Sequence, residues 1–414
     1  MISSSGNQGF IVAQLGARMH YAVARILHQH GLLARLYTDI YATDDFTKLF
    51  DYWPGWLRPA AVQRLLDRNP LDVPNEKITH FPIFGIEYYR HLQNARTSSE
   101  RSAAFIWAGK RFAHKILKCG FGDAHCVYAY NTAAKEILQH TRNHGITGFL
   151  EQTIAPRKVE MRILGVENDT FPGWEHYATD RHATEYIDRE QEEWETAHHI
   201  ICASDFVRDG IIECGGNPDK CLVVPYGIDN RQFQVERHAR RPGPLRVLTV
   251  GAVGLRKGSP YVLQAAKLLK GMAEFRMVGA IHVKPRVAAE LSAHLHLTGM
   301  VARSKISEQY AWADVLLLPS LCEGSATSTY EAMLHHLPVI CTPHAGSVAR
   351  DGKDGYILPA RDSATIAAKL EFLATHPDTL AEMAESAHNR ALEYNREHYA
   401  ERLLHALHAV STPR

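Results

Sequence analysis

ADVLLLPSLCEGSATSTYEAMLHHLPVICT, Ala313 to Thr342, places an apolar run, a loop of small residues, a helical pattern and a second apolar run in that order. Val315 to Leu318 has the length of a strand and is closed by Pro319 and Ser320, which reads as a buried parallel strand. Glu323 and Gly324 follow, and then Ser325, Ala326, Thr327, Ser328 and Thr329. Such small residues favour caps and leave backbone N–H groups accessible ahead of a helix, predicted over Tyr330 to His336. Val339 to Cys341 is the second buried strand. In an open parallel sheet the ligand sits where such loops leave the carboxyl ends of the strands.

This loop suits a ligand with phosphate in its middle. Free N–H groups and the positive end of a helix dipole favour an anion by about 0.3–1 kcal/mol, and up to about 2 kcal/mol when partly buried. Glu323 and Glu331 bracket the loop eight positions apart and can face one cleft without touching. Carboxylates repel phosphate, so their partners should be hydroxyls, and a charge-assisted bond of that kind contributes about 1.5–3 kcal/mol. Phosphate in the middle and hydroxyls at both ends describe a nucleotide sugar.

Glu323, seven residues and Glu331, set between two apolar strands, resemble the Glu-x7-Glu signature of the family 4 retaining glycosyltransferases. Other stretches carry the same resemblance. Ser204-Asp205-Phe206-Val207-Arg208 is similar to the family's serine-led helix start, with Ser204 as cap. Cys221 to Asp229, CLVVPYGID, resembles its Val-Pro-x-Gly-hydrophobic-Asp turn. Lys257-Gly258 in GAVGLRKGS matches its Lys-Gly, although Ala252 stands where the family usually has arginine. Gly346 and Asp351-Gly352 with Gly355 resemble its glycine turn, with Val348 and Ala349 where a glutamate is customary. The resemblance implies α/β architecture with two Rossmann-like domains facing across a cleft, the GT-B fold. It further implies retaining transfer of a sugar from a nucleoside diphosphate to a sugar, lipid or other acceptor in cell-surface polysaccharide, glycolipid or glycoconjugate synthesis. Under it Glu323 addresses the moving sugar and Glu331 the ribose, and Gly16 faces the cleft. In the family a histidine commonly ends the strand occupied here by Gly148 to Gln152, and Gln152 takes that position.

Composition bounds the alternatives. The chain has 414 residues and 45% hydrophobic content, enough for two domain cores. Lys and Arg number 46 against 45 Asp and Glu, so no global charge calls for nucleic acid. Seven scattered cysteines without a C-x-x-C pair suit a reducing cytoplasm. The N-terminus lacks a basic leader region, and no apolar stretch reaches the roughly 18 residues of a membrane span. Of 25 histidines none falls in H-E-x-x-H, and there is no Asp-x-Asp, so neither a metal nor a cofactor is expected. Lys257, Arg256 and the helix start near Thr327 and Ser328 are then left to hold the diphosphate charge. Gly251, Gly254 and Gly258 shape that loop at the end of a strand.

In chain order, residues 1–230 are expected to form an acceptor-side domain, opening with a strand over Phe10 to Gln14, a helix from Arg18 to His30 and a strand over Leu33 to Thr38. Strand and helix alternation fades over about 41–118, which reads as a helical insertion. There Trp53 and Trp56 lie beside Pro54-Gly55, and Arg90, Arg96, Arg101, Lys110, Arg111, Lys115 and Lys118 face Glu100 alone. Aromatic and basic residues together suit an amphiphilic acceptor or a peripheral contact with the inner membrane surface, and helices with solvated charges are the plainer reading. A linker is expected at 231–244, a donor-binding domain at 245–394 and a terminal helix at 395–414 crossing back to the first domain. Two other functions share this pattern, a nucleotide-sugar epimerase of the same fold and a non-catalytic nucleotide-sugar-binding protein. Product formed without acceptor would mark the first, and failure to hydrolyse any donor the second.

Overall fold

A computed structural model of the chain describes residues 9–41, 73–176, 179–229 and 243–411. Trp53, Trp56 and most of the expected linker lie outside these residues. Two all-parallel sheets organise the rest. The first contains β1 (Phe10–Gln14), β2 (Leu33–Thr38), β3 (Ile78–His80), β4 (Cys126–Tyr130), β5 (Thr147–Gln152), β6 (His199–Cys202) and β7 (Cys221–Val223) in the order β3-β2-β1-β4-β5-β6-β7. The second contains β8 (Leu245–Val250), β9 (Ala273–Val278), β10 (His296–Gly299), β11 (Val315–Leu318), β12 (Val339–Cys341) and β13 (Gly355–Ile357) in the order β10-β9-β8-β11-β12-β13. Each sheet therefore reverses direction beside its first strand, at β1/β4 and at β8/β11, and a crevice opens at the carboxyl ends there.

The central strands β1, β4 and β11 are buried at every residue because helices cover both faces, which is why they read as unbroken apolar runs. The helix Ser98–Cys119 supplies one such cover. Its Ala108, Phe112, Ala113 and Ile116 share a cluster with Ile11, Ala13, Val127 and Ala129 of the first sheet. The region expected to be an insertion thus includes an edge strand, β3, and a helix integral to the domain. A three-residue strand is too short to show a period of two, which is why the alternation faded in the sequence.

The helix expected over Arg18 to His30 is shorter. Arg18–Tyr21 forms a single tight turn in which Met19, His20 and Tyr21 have φ of 46°, 50° and 58°, and the α-helix covers Ala22–Gln29. The helix expected from Tyr330 begins at Thr327 and ends at Leu334, so Thr327 and Ser328 belong to its first turn.

The two domains exchange helices. The helix Arg157–Thr170 follows β5, yet Val159 and Ile163 pack with Tyr261, Val262 and Ile366 of the second domain. Its fully buried Glu167 accepts from Tyr261 Oη at 2.8 Å and pairs with Arg361 Nε at 2.5 Å. In the other direction the helix Arg396–Ser411 buries Tyr399, Leu403 and Leu407 in a cluster that includes Val12, Tyr128 and Tyr226. Arg402 donates to the Tyr226 carbonyl at 3.4 Å. No helix among the described residues is long and apolar enough to cross a membrane.

Candidate functional site

The loop after β11 is clamped by the first domain. Ser204 Oγ donates to the Gly324 carbonyl at 2.5 Å, and the Ala155 amide donates to the Glu323 carbonyl at 3.4 Å. A Cβ on residue 324 would lie 1.9 Å from the Thr153 carbonyl oxygen, so only glycine permits the approach. Ser204, expected as a helix cap, does accept from the Val207 amide at 3.4 Å and in addition fixes this loop.

Glu323 is held by two cations. Lys257 Nζ lies 2.7 Å and Arg256 Nη1 2.8 Å from its Oε1. Arg256 Nη1 also donates to the Cys322 carbonyl at 2.7 Å, so this guanidinium turns into the site rather than to solvent. Burial pulls the Lys257 ammonium below its ordinary value, and the Glu323 carboxylate opposes that shift. The lysine is aimed by Gly258, whose φ of +71° starts the helix Ser259–Leu268 where a Cβ would meet the Pro319 carbonyl at 2.1 Å.

Glu331 occupies a second pocket of charge. Arg303 Nη1 pairs with Oε1 at 2.7 Å, and Tyr310 Oη donates to Oε2 at 2.8 Å. Neither partner was anticipated from sequence. Arg303 follows β10, and Tyr310 sits on the helix Ile306–Trp312. Only the position of Arg303 after a strand's carboxyl end could have pointed to it. Ala326 caps the helix Thr327–Leu334 and offers no side-chain acceptor, so the first-turn amides receive no side-chain cap.

Lys257, Glu323, Thr327, Ser328 and Glu331 line one cavity of about 440 Å³, together with Val250, Gly251 and Arg303. A larger cavity of about 610 Å³ shares Glu323, Ser325 and Thr327 with it and extends to the first domain, taking in Arg256 and Gly324. Its wall there includes Glu151 and Thr153, whereas Gln152 faces away. Gln152 is fully buried, donating to Glu190 Oε1 at 2.9 Å and accepting from Trp194 Nε1 at 3.0 Å. The period of two along β5 separates it from its neighbours, so Gln152, which stands at the family histidine's position in sequence, does not line the cavity, and Glu151 and Thr153 do. Glu151 accepts from Tyr128 Oη at 2.6 Å and Tyr226 Oη at 2.8 Å, and burial raises its carboxyl above the ordinary value. Gly16 has φ of +70° and donates its N–H to Asp39 Oδ1 at 3.0 Å. Its neighbours Leu15, Arg18 and Met19 line the larger cavity. Among the described residues no group of three or more His, Cys, Asp or Glu is placed to hold a metal ion.

Residues 244–376, the core of the second domain, match a family model described as Glycosyl transferases group 1. The putative colanic acid biosynthesis glycosyltransferase WcaL of Salmonella typhimurium is 28% identical over 217 residues, covering 48% of this chain and 53% of that protein. The putative glycosyltransferase EpsD of Bacillus subtilis is 26% identical over 227 residues, covering 49% and 59%. The chain thus spans about half the length of these relatives. Solved structures align over nearly the whole molecule. Anabaena HepE in complex with UDP and glucose gives a TM-score of 0.59 at 14% identity, covering 97% of this chain and 100% of that one. Sucrose-phosphate synthase from Thermosynechococcus elongatus gives 0.62 at 16%, covering 98% and 100%. At these identities the likeness establishes the fold, two Rossmann-like domains in the GT-B arrangement.

Proposed function

We propose that the chain is a retaining glycosyltransferase of the family 4 type, moving a sugar from a nucleoside diphosphate to an acceptor in polysaccharide or glycoconjugate synthesis without a metal ion. The observation that carries the reading is the triad of Lys257, Arg256 and Glu323 at the junction of the two cavities. Two cations beside a helix start suit a diphosphate, and the carboxylate between them suits the hydroxyls of a sugar attached to it. Glu331, held by Arg303 and Tyr310, lines the smaller cavity and not the larger one, and the ribose would lie against it. The larger cavity gives an acceptor room, which favours transfer over chemistry on the donor alone.

In this reading the acceptor oxygen bonds to the anomeric carbon on the face that the diphosphate leaves, and the bond from that carbon to the phosphate oxygen breaks. The acceptor's proton passes to the departing phosphate. Lys257, Arg256 and the amides near Thr327 stabilise the charge that develops, and a preorganised donor of that sort contributes about 3–4 kcal/mol. Similarity to a structure solved with UDP supports a nucleotide-sugar donor.

The test is a thermal-unfolding screen of the full chain against nucleoside diphosphates, followed by turnover of the matching sugar donors with a chelator present. A ligand at about 100 times its dissociation constant adds about 2.7 kcal/mol of stability. One nucleoside diphosphate should raise the unfolding temperature, and activity should survive chelation. An absolute need for magnesium or manganese would overturn the metal-free part, and no response to any diphosphate the whole.

A further inference from the structure

The larger cavity has a wall that the donor reading leaves unused. The helix Ser98–Cys119 turns Ser98, Arg101, Ser102 and Phe105 into it, the i, i+3, i+4, i+7 spacing of a single face. Arg18 reaches the same cavity from the turn after β1. Four arginines line this space, and they divide into two kinds. Arg157 is committed to Glu160 at 2.6 Å and Asp180 at 2.8 Å, and Arg256 to Glu323 at 2.8 Å. Arg18 and Arg101 are exposed, and among the described residues neither stands in an ion pair with a carboxylate. The remaining carboxylate on this wall, Glu151, accepts from two tyrosines and feels the charge of Arg18 without pairing with it. Two guanidinium groups without an ion pair therefore face a cavity that also presents aromatic rings, among them Tyr88 and Phe105.

We infer that this wall is the acceptor subsite and that the acceptor is a sugar bearing a phosphate or carboxylate, with Arg18 and Arg101 taking the charge and the aromatic rings taking the face of the ring. The inference rests on the glycosyl-transfer reading and names the substrate class for it. A neutral sugar offers two planar cations only single hydroxyl acceptors and no charge for bidentate pairing, and a bare hydrocarbon leaves them desolvated without a partner. The charged sugar can be free or joined through its phosphate to a lipid, and both share the chemistry that the arginines recognise.

The experiment uses the full chain saturated with whichever nucleoside diphosphate raises its unfolding temperature most, or the chain alone if none does. Calorimetry then compares glucose, glucose 6-phosphate, glucuronic acid and a polyprenyl-linked sugar diphosphate in detergent. At least one charged probe should bind about tenfold or more tightly than glucose. Arg18→Gln and Arg101→Gln should each remove most of that preference while leaving nucleoside diphosphate affinity unchanged, and Arg101→Lys should keep part of it. Both side chains are exposed, so folding should be unaffected, and thermal unfolding checks this. A preference for the polyprenyl-linked probe over the soluble ones would identify the lipid-borne source. Equal binding of glucose, a charge preference that survives in the double variant, or no binding of any probe would overturn the inference. Failure of all diphosphates to bind, with charged-sugar binding intact, would instead sink the donor reading and leave the subsite.

Discussion

At the scale of single residues, Glu323 shares its cavity with the cations that a diphosphate would need. Its carboxylate pairs with both Lys257 and Arg256, so a diphosphate must compete with it for them. This sharpens the contrast between the two glutamates. Glu323→Gln should leave the affinity for free nucleoside diphosphate unchanged or raise it severalfold, because both cations are released, while lowering kcat by about tenfold to a hundredfold through loss of a charge-assisted bond to the moving sugar. Glu331→Gln should weaken the free diphosphate and the whole donor alike by a similar factor, since the ribose is unchanged by the reaction. Calorimetry with the diphosphate and steady-state kinetics with the donor separate the two, and a loss of diphosphate affinity in Glu323→Gln would reverse the assignments. Glu323, Gly324, Glu331 and Lys257 were legible because each lies in a short motif at the end of an apolar strand. Arg303 and Tyr310 were not, because they come from another loop and another helix, and no local spacing ties them to Glu331.

At the scale of elements, two glycines give opposite expectations. Gly324→Ala forces a Cβ against the Thr153 carbonyl where the domains meet, and overpacking of this kind costs about 1–3 kcal/mol. It should lower the unfolding temperature and the donor turnover together. Gly165→Ala, inside the helix Arg157–Thr170 with open space around its Cβ position, should stabilise by about 0.5–1 kcal/mol and leave turnover unchanged. Denaturant unfolding of the two variants reads both signs, and equal effects would mean that the approach at 324 is looser than it stands here. The long strands were readable from apolar runs, and their order in the sheets was not. β3 and β7 have three residues each, so no periodicity identifies them, and Cys221–Val223 read as part of a turn. The helix Arg157–Thr170 has partners far along the chain, in Tyr261 and Arg361, and nothing in its own residues announces which domain it covers.

At the scale of the whole molecule, buried carboxyls behind the cleft couple stability to pH. Burial pushes Glu190 and Glu193 up to about 7 from 4.5. Glu190 accepts from Gln152 and the Arg157 amide, and Glu193 from the amides of Thr132, Ala134 and Lys135. Between those two values the folded chain binds protons that the unfolded chain has released, so these groups make stability fall as pH rises through the interval. His80, His199, His335 and His344, whose partial or full burial holds them below their ordinary value, act in the opposite direction. The diagnostic is therefore a difference. Glu190→Gln should be less stable than the parent near pH 5, where it loses an acceptor, and should recover relative to it by pH 8. Unfolding temperatures across that range measure this, and a constant difference would place the titration elsewhere. The exchange of helices has a consequence for how the molecule comes apart. Its amino-terminal half lends Arg157–Thr170 to the other, and its carboxy-terminal half lends Arg396–Ser411 in return. Severing the backbone between 231 and 242 would then yield an interlocked pair of fragments, each carrying a piece of its partner's core. Produced separately the two should aggregate, and produced together they should copurify as an active heterodimer.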